Sequence, residues 1–352
     1  MVADRIGHKD GQQLSGRKTM TRKFVNRFTW VLAIAGILVL TTGAASFAEE
    51  LKLAHFVSTS HVVNKAIVNP LVEGVARDSN GTLTIRVYPG GELGAGPMEQ
   101  YVRALQGVAD ITWGLQGYTS TQFKKTMIVE LPGVRPKGMT GYEMLWNAYD
   151  KNLKSEFPGT KPLALYTAEP NIIIMKSRDV KKPEDLAGLK IRVSGSVAGA
   201  VVEALGATPV QMPASQVYNA LQTGLIDGLI TGASMVADFK LDEVATSYTL
   251  GAPLGHISFY LVMNQKKYDS LSPEHKAVID KNSGMGLSRS GEENWNARAT
   301  ATIEKLRANK ENTVIELTDE QAAAFGKKEM PVTEKIVKEL GAEDVLKAMQ
   351  GK

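Results

Sequence analysis

An internal echo restricts this chain more than any other feature. Ala104-Leu-Gln-Gly-Val-Ala-Asp110-Ile-Thr-Trp-Gly114 is matched, with a small insertion, by Ala220-Leu-Gln-Thr-Gly-Leu-Ile-Asp227-Gly-Leu-Ile-Thr-Gly232. Each copy reads as a helix that ends at a glycine suited to a left-handed cap, a tight turn through Asp, and a strand that stops at Gly. Two such corners in one chain predict two similar lobes, each bringing a strand end to a shared cleft.

The segments around the corners follow the same grammar. Leu51–Val57 reads as a strand, Val62–Asn80 as an amphipathic helix ending at Gly81, and Thr82–Tyr88 as a strand of period two. Met98–Gln106 has helical spacing, Gly107 closes it, and Ala109–Trp113 is a short strand. In the second half, Asn171–Met175, Leu189–Val193, Thr208–Val210 and Leu225–Ile230 read as strands. Helical spacing at Ala198–Leu205 and Ser215–Gln222 separates them, and Val180–Leu186 is a polar helical turn. Alternation of this kind predicts an α/β fold with mainly parallel sheets. Ser258–Asn264 is a further strand, and Ser272–Lys305 is a long helical stretch that Gly284, Gly286 and Gly291 are expected to loosen or bend. Val332–Leu340 is a closing helix. No proline-rich or serine-rich linker divides the lobes, so the chain is expected to cross between them on ordered strands, as hinged proteins do. The length of 352 residues suits two lobes with appendages.

The formal charge of +4 misleads, because residues 1–48 hold seven Lys/Arg against two Asp. The remainder carries 34 basic and 35 acidic residues, a balance that argues against nucleic acid or an anionic membrane as partner. Arg22, Lys23 and Arg27 precede the apolar run Trp30–Leu40, and Ser46-Phe47-Ala48 offers a signal-peptidase site before Glu49. That order predicts an export signal, cleaved near Ala48. The run is shorter than the ~20 apolar residues a membrane span requires. Residues 1–19 are polar and do not fit a leader, which makes Met20 the better start. The chain has no Cys, which excludes disulfides, thiolate nucleophiles, thiolate metal sites and a lipid anchor on an N-terminal cysteine.

Catalytic signatures are thin. Gly91-Glu-Leu-Gly94-Ala-Gly96 runs GxxGxG, not the dinucleotide order, and reads as a glycine turn. Gly286-Leu-Ser-Arg-Ser-Gly291 is one residue too long for a nucleophile elbow. His55, His61, His256 and His275 form no metal-binding spacing, and no cofactor or metal is expected. Arg192 differs from these. It ends the strand Leu189–Val193, directly before Ser194-Gly195-Ser196 and a helix, at the sheet edge where ligands of open α/β sheets gather. Its guanidinium suits one carboxylate held in a bidentate pair, either on a ligand or on an acid of its own lobe. Phe56 and Trp113 fall at strand ends where a cleft wall would stand, with a core role as the default. Gln116 and Tyr118 look more exposed and able to offer hydrogen bonds, and Thr231 occupies the corresponding strand end in the second lobe.

Leu186-Ala-Gly-Leu-Lys-Ile-Arg-Val193, Leu205-Gly-Ala-Thr-Pro-Val-Gln-Met-Pro213, Ser215-Gln-Val-Tyr-Asn-Ala-Leu-Gln222 and Ile226-Asp-Gly228 together resemble the signature of TRAP-transporter solute receptors of the DctP type. Tyr88-Pro-Gly-Gly-Glu-Leu-Gly94 and Phe239-Lys-Leu-Asp-Glu-Val244 fit the same family. The resemblance covers nearly all of the chain after residue 48. It implies a two-lobed periplasmic binding protein whose lobes, joined by crossing strands and a long helix, close over an organic acid. Such a protein is a receptor and not an enzyme, and it hands its ligand to a membrane permease of one small and one large subunit. The resemblance also makes Arg192 the residue that holds the ligand carboxylate. Some members of the family carry an Asn where this chain has Thr231, and some carry a second Arg near Glu169-Pro170-Asn171, where this chain has none. A monocarboxylate is therefore expected over a dicarboxylate. The expected site comprises Arg192, Thr231, Gln116, Tyr118, Trp113 and Phe56. Lobe I is expected at 49–168 plus about 258–297, and lobe II at 169–257 plus about 298–352. A sensor subunit that feeds no permease, and a periplasmic enzyme acting on a similar acid, are the alternatives.

Overall fold

A computed structural model describes residues 48–352. The export signal expected in residues 1–48 lies outside them, Ala48 apart. Among the described residues eleven strands form two sheets. The first contains β1 (Glu49–Ala54), β2 (Leu83–Tyr88), β3 (Ile111–Leu115), β4 (Thr160–Thr167) and β10 (Ser258–Asn264), in the order β2-β1-β3-β10-β4. The second contains β5 (Asn171–Met175), β6 (Lys190–Val193), β7 (Thr208–Gln211), β8 (Gly228–Gly232), β9 (Ser247–Leu250) and β11 (Thr313–Glu316), in the order β11-β9-β5-β8-β6-β7.

Each sheet is parallel apart from one reversed strand, β10 in the first and β5 in the second. Topology explains the reversal. The other strands run toward the partner lobe, and a strand that has just crossed from that lobe must run away from it. The crossings are Ala168–Pro170, between β4 and β5, and Gly251–Ile257, between β9 and β10. They pair with each other: the Ala168 N–H donates to the Ile257 carbonyl (2.8 Å) and the Asn171 N–H to the Gly255 carbonyl (3.0 Å). β5 and β10 are buried along their whole length, which accounts for their unbroken apolar sequence between helical layers.

The two echoing corners are built alike. Gly107 (φ 72°) and Gly224 (φ 75°) close their helices in the left-handed region. The side chains of Asp110 and Asp227 then accept from the backbone N–H of the neighbouring parallel strand, Lys52 in β1 (2.7 Å) and Lys190 in β6 (2.8 Å). Their carbonyls accept from the far ends of the two reversed strands, Asn264 (2.8 Å) and Lys176 (3.1 Å). The Asp in each copy thus locks the register of three strands.

The structure differs from the sequence-based expectation in several places. β8 begins at Gly228, not at Leu225, because Leu225 follows the helix cap and stands 58% exposed before the Asp227 turn. The long helical stretch breaks only at Gly284 (φ 72°), leaving helices Pro273–Lys281 and Met285–Ala308. Gly286 and Gly291 do not interrupt the second helix. At Gly291 a Cβ would meet Ile67 and Tyr166 at 2.9 Å, so a glycine there allows close packing on the first lobe. This helix places Leu287 and Trp295 in the first core and Ala299 and Leu306 in the second, so it spans both lobes. The closing helix is longer than its apolar pattern, Asp319–Glu339, with Pro331 inside. Its Phe325 packs in the core of the second sheet, whereas Val337, with Val345 and Met349 beyond it, packs with Leu145, Tyr260 and Val262 of the first. The segment beyond residue 298 is therefore shared between the lobes.

Candidate functional site

The C-terminal ends of β1, β3, β6 and β8 converge where the lobes meet, the position at which α/β sheets gather ligands. From the first lobe come Phe56, Val57 and His61 after β1, Trp113 and Leu115 of β3, Tyr118, and Phe259 of β10. From the second come Arg192 of β6, Ala214, Thr231 and Gly232 of β8, and Ser234, Met235, Asp238 and Phe239 beyond it. Ala168 and Ile257 of the crossings and Trp295 of the long helix complete the lining. With the lobes together the cavity measures about 50 Å³.

The lobes are closed over it. The Tyr118 hydroxyl accepts from the Ala214 N–H across the cleft (2.8 Å), and the Ser120 hydroxyl from the Ser196 N–H (3.3 Å). Between these bonds the backbones of Gly117 and Gly195 meet directly, and a Cβ on Gly195 would lie 2.6 Å from the Gly117 Cα.

Arg192 is 1% exposed and is the penultimate residue of its strand, which lies between β7 and β8. Its Nε and Nη2 both donate to the Met212 carbonyl (3.0 and 2.9 Å), and Nη1 reaches the Met235 sulfur at 3.9 Å. Among the described residues no carboxylate pairs with it. Burial pulls its pKa down, and the adjacent Tyr118 hydroxyl opposes that shift. A buried cation with no acid beside it is costly unless an anion arrives.

Around the guanidinium the walls are aromatic. Trp113 is stacked between Phe56 and Phe259, with ring centroids at 5.3 Å on each side, and donates through Nε1 to the Tyr166 hydroxyl (2.8 Å). Trp295 closes on Phe259 at 5.1 Å. The Thr231 hydroxyl points at the Met235 sulfur (3.4 Å). His61 and Asp238 face each other from opposite lobes, Nε2 to Oδ2 at 3.7 Å. Burial pushes the His61 pKa down to about 3, leaving the ring neutral. Burial raises the Asp238 pKa, while Arg298, donating to Oδ1 at 2.9 Å, pulls it back and balances its charge. The charge left unanswered in the pocket is that of Arg192.

Of the six residues expected from sequence, Arg192, Thr231, Tyr118, Trp113 and Phe56 line the cavity. Gln116 does not. It sits beside the pocket in the short turn Gln116–Thr119, fully buried, and both atoms of its amide lack a partner. The expectation that Gln116 and Tyr118 are exposed is corrected: both are buried, and Tyr118 bonds Ala214 across the cleft. His61, Asp238, Phe239, Phe259 and Trp295 escaped the sequence reading because they come from four separate segments with no common spacing. Among the described residues no group of three or more His, Asp or Glu side chains is placed to hold a metal, and no helix is long and apolar enough to cross a membrane.

Two α/β lobes hinged by paired crossings and closed over a buried guanidinium are the architecture of a solute-binding protein. Residues 53–340 match the DctP family, described as bacterial extracellular solute-binding protein, family 7, and the chain belongs to that family. It is 26% identical over 321 residues to the ectoine-binding periplasmic protein TeaA of Halomonas elongata, an alignment covering 88% of this chain and 91% of TeaA. Its fold is similar to a marine-metagenome TRAP solute-binding protein specific for aromatic acid ligands, solved with metahydroxyphenylacetate (TM-score 0.81, 28% identity, 86% of this chain and 98% of that one). It is also similar to a TRAP solute-binding protein from Rhodoferax ferrireducens solved with copurified benzoate (TM-score 0.79, 27% identity, 86% of this chain and 96% of that one).

Proposed function

We propose that this chain is a periplasmic receptor for a small monocarboxylate with an apolar, aromatic body, which it delivers to a TRAP permease of one small and one large membrane subunit. One observation carries this reading: the Arg192 guanidinium, buried without an acid, faces a cavity walled by Phe56, Trp113, Phe259 and Trp295. A carboxylate docked there gains charge-assisted hydrogen bonds in a dry site, where they are strongest. A single unanswered charge favours one carboxylate over two, because a second would be buried without a partner. Tyr118 links ligand to closure, since its hydroxyl lies beside Arg192 and bonds the opposite lobe. Thr231 is the polar contact from β8, and Phe56 and Trp113 form the wall. The receptor binds and releases its ligand unchanged, and export with cleavage near Ala48 places it in the periplasm. The relatives that bind aromatic acids and benzoate support the ligand class.

Thermal unfolding of the purified protein with benzoate, phenylacetate and succinate tests this. The aromatic monocarboxylates are expected to raise the midpoint, by an amount equivalent to ~2.7 kcal/mol at one hundred times the dissociation constant. Stabilisation by succinate alone, or by none of the three, overturns the proposal.

A further inference from the structure

We infer that the ligand carries a hydroxyl group on its body, away from the carboxylate, and that His61 and Asp238 recognise that hydroxyl together. The inference rests on the receptor reading above and specifies its ligand further.

The two side chains present unequal halves of one hydrogen-bonding site. The Val63 N–H donates to His61 Nδ1 (3.1 Å), so in the neutral ring the proton resides on Nε2, which faces the cavity as a donor. Asp238 spends Oδ1 on Arg298, with contacts of 2.9 and 3.2 Å. Its Oδ2, on a side chain 1% exposed, makes no hydrogen bond, although the Val62 N–H comes near enough to the carboxylate to lower its pKa, and it stands as an acceptor. The 3.7 Å between Nε2 and Oδ2 is too long for a hydrogen bond between them. One oxygen that both accepts and donates completes the site: a hydroxyl accepts from Nε2–H and gives its proton to Oδ2. A carbonyl satisfies only His61. An ammonium satisfies only Asp238, whose charge Arg298 already meets.

The placement suits one small molecule. Met235 lies against the Arg192 guanidinium, and Asp238 is three residues further along the same short helix, Ser234–Asp238, about 4.5 Å in rise. The hydroxyl site and the carboxylate site thus open on one cavity, beside the aromatic residues Trp113, Phe239 and Trp295. His61 belongs to the first lobe and Asp238 to the second, so the hydroxyl also ties the lobes shut.

Calorimetric titration of the protein with matched pairs decides the matter: benzoate against 3- and 4-hydroxybenzoate, and phenylacetate against 3-hydroxyphenylacetate, with 3-methoxybenzoate as an acceptor that cannot donate. The better hydroxylated acid of a pair is expected to bind about ten- to a hundredfold tighter than its parent, and the methoxy acid no tighter. In Asp238→Asn the amide oxygen turns to Arg298 and an N–H replaces Oδ2, so the hydroxyl-to-parent ratio is expected to fall toward one. A wild-type ratio near one, or a ratio that survives in Asp238→Asn, overturns the inference. If the parent acids still bind through Arg192 in that case, the receptor reading stands. Binding of none of these acids overturns both.

Discussion

Arg192→Met separates binding from folding, because the two roles of this side chain have opposite signs. In the closed protein the guanidinium is 1% exposed, touches no carboxylate, and spends two of its five N–H groups on one carbonyl, that of Met212. Two charge-assisted bonds to a ligand carboxylate, at ~1.5–3 kcal/mol each, are worth roughly 3–6 kcal/mol, or ~10²- to 10⁴-fold in affinity. Truncation to an apolar side chain removes that gain. In the closed state without ligand the same change relieves a buried cation, a gain of several kcal/mol at the upper end, and orphans the Met212 carbonyl, a loss of about 1–3 kcal/mol. The free variant is therefore expected to melt at the wild-type temperature or a few degrees above it. Calorimetric titration with benzoate measures the first effect, and scanning calorimetry without ligand measures the second. A variant that loses more than ~3 kcal/mol of stability yet binds benzoate within about tenfold of wild type refutes the argument, because the guanidinium would then be structural.

Gly195→Val places a side chain 2.6 Å from the Gly117 Cα and 2.9 Å from its carbonyl oxygen, while its own backbone is extended and unstrained. Closure is expected to fail, abolishing the ligand-induced fall in radius of gyration seen by X-ray scattering; a variant that compacts normally removes this contact as the limit of closure. Glu329 is buried with both carboxylate oxygens unpartnered, and desolvation pushes its pKa up to about 8 from 4.5. Between those values the folded state holds a proton the unfolded state has released, so this contribution is complete below pH 4.5 and is lost as pH rises toward 8. Burial raises Glu130 and Glu169 to about 7, giving the same sign over a shorter window, whereas His61 and His256, lowered to about 3, titrate below pH 6.5 with the opposite sign. Thermal midpoints are expected to fall from pH 6.5 to 8, and Glu329→Gln is expected to raise the midpoint at pH 8 but hardly at pH 5. An unchanged pH slope in that variant would place the titrating group elsewhere.

Local chemistry announced much of this fold. The caps at Gly107 and Gly224, the alternation in β2 and the apolar runs of β5 and β10 are properties of neighbouring residues, and they survive folding nearly in place. β8 was read three residues early because Leu225 and Ile226 look like strand, although Leu225 belongs to the cap region and is exposed. The front half of helix Asp319–Glu339 was invisible for a related reason. Its core-facing positions are Phe325, Glu329, Thr333 and Val337, so half of its buried stripe is polar and carries no hydrophobic period. Gln116 looks exposed from its side-chain type, yet in the turn directly after β3 it is fully buried.

The sequence by itself determined two lobes of similar construction, the sheet edge at which their strands end, and the position of Arg192 on that edge. Caps, periodicity and strand ends depend on residues a few positions apart, and their physics is complete within each segment. Tertiary structure decided what stands beside the guanidinium, where no acid comes near, and set His61 and Asp238 at 3.7 Å from opposite lobes. Both are distances between groups far apart along the chain, fixed only when the crossings fold the lobes together and water is driven from between them.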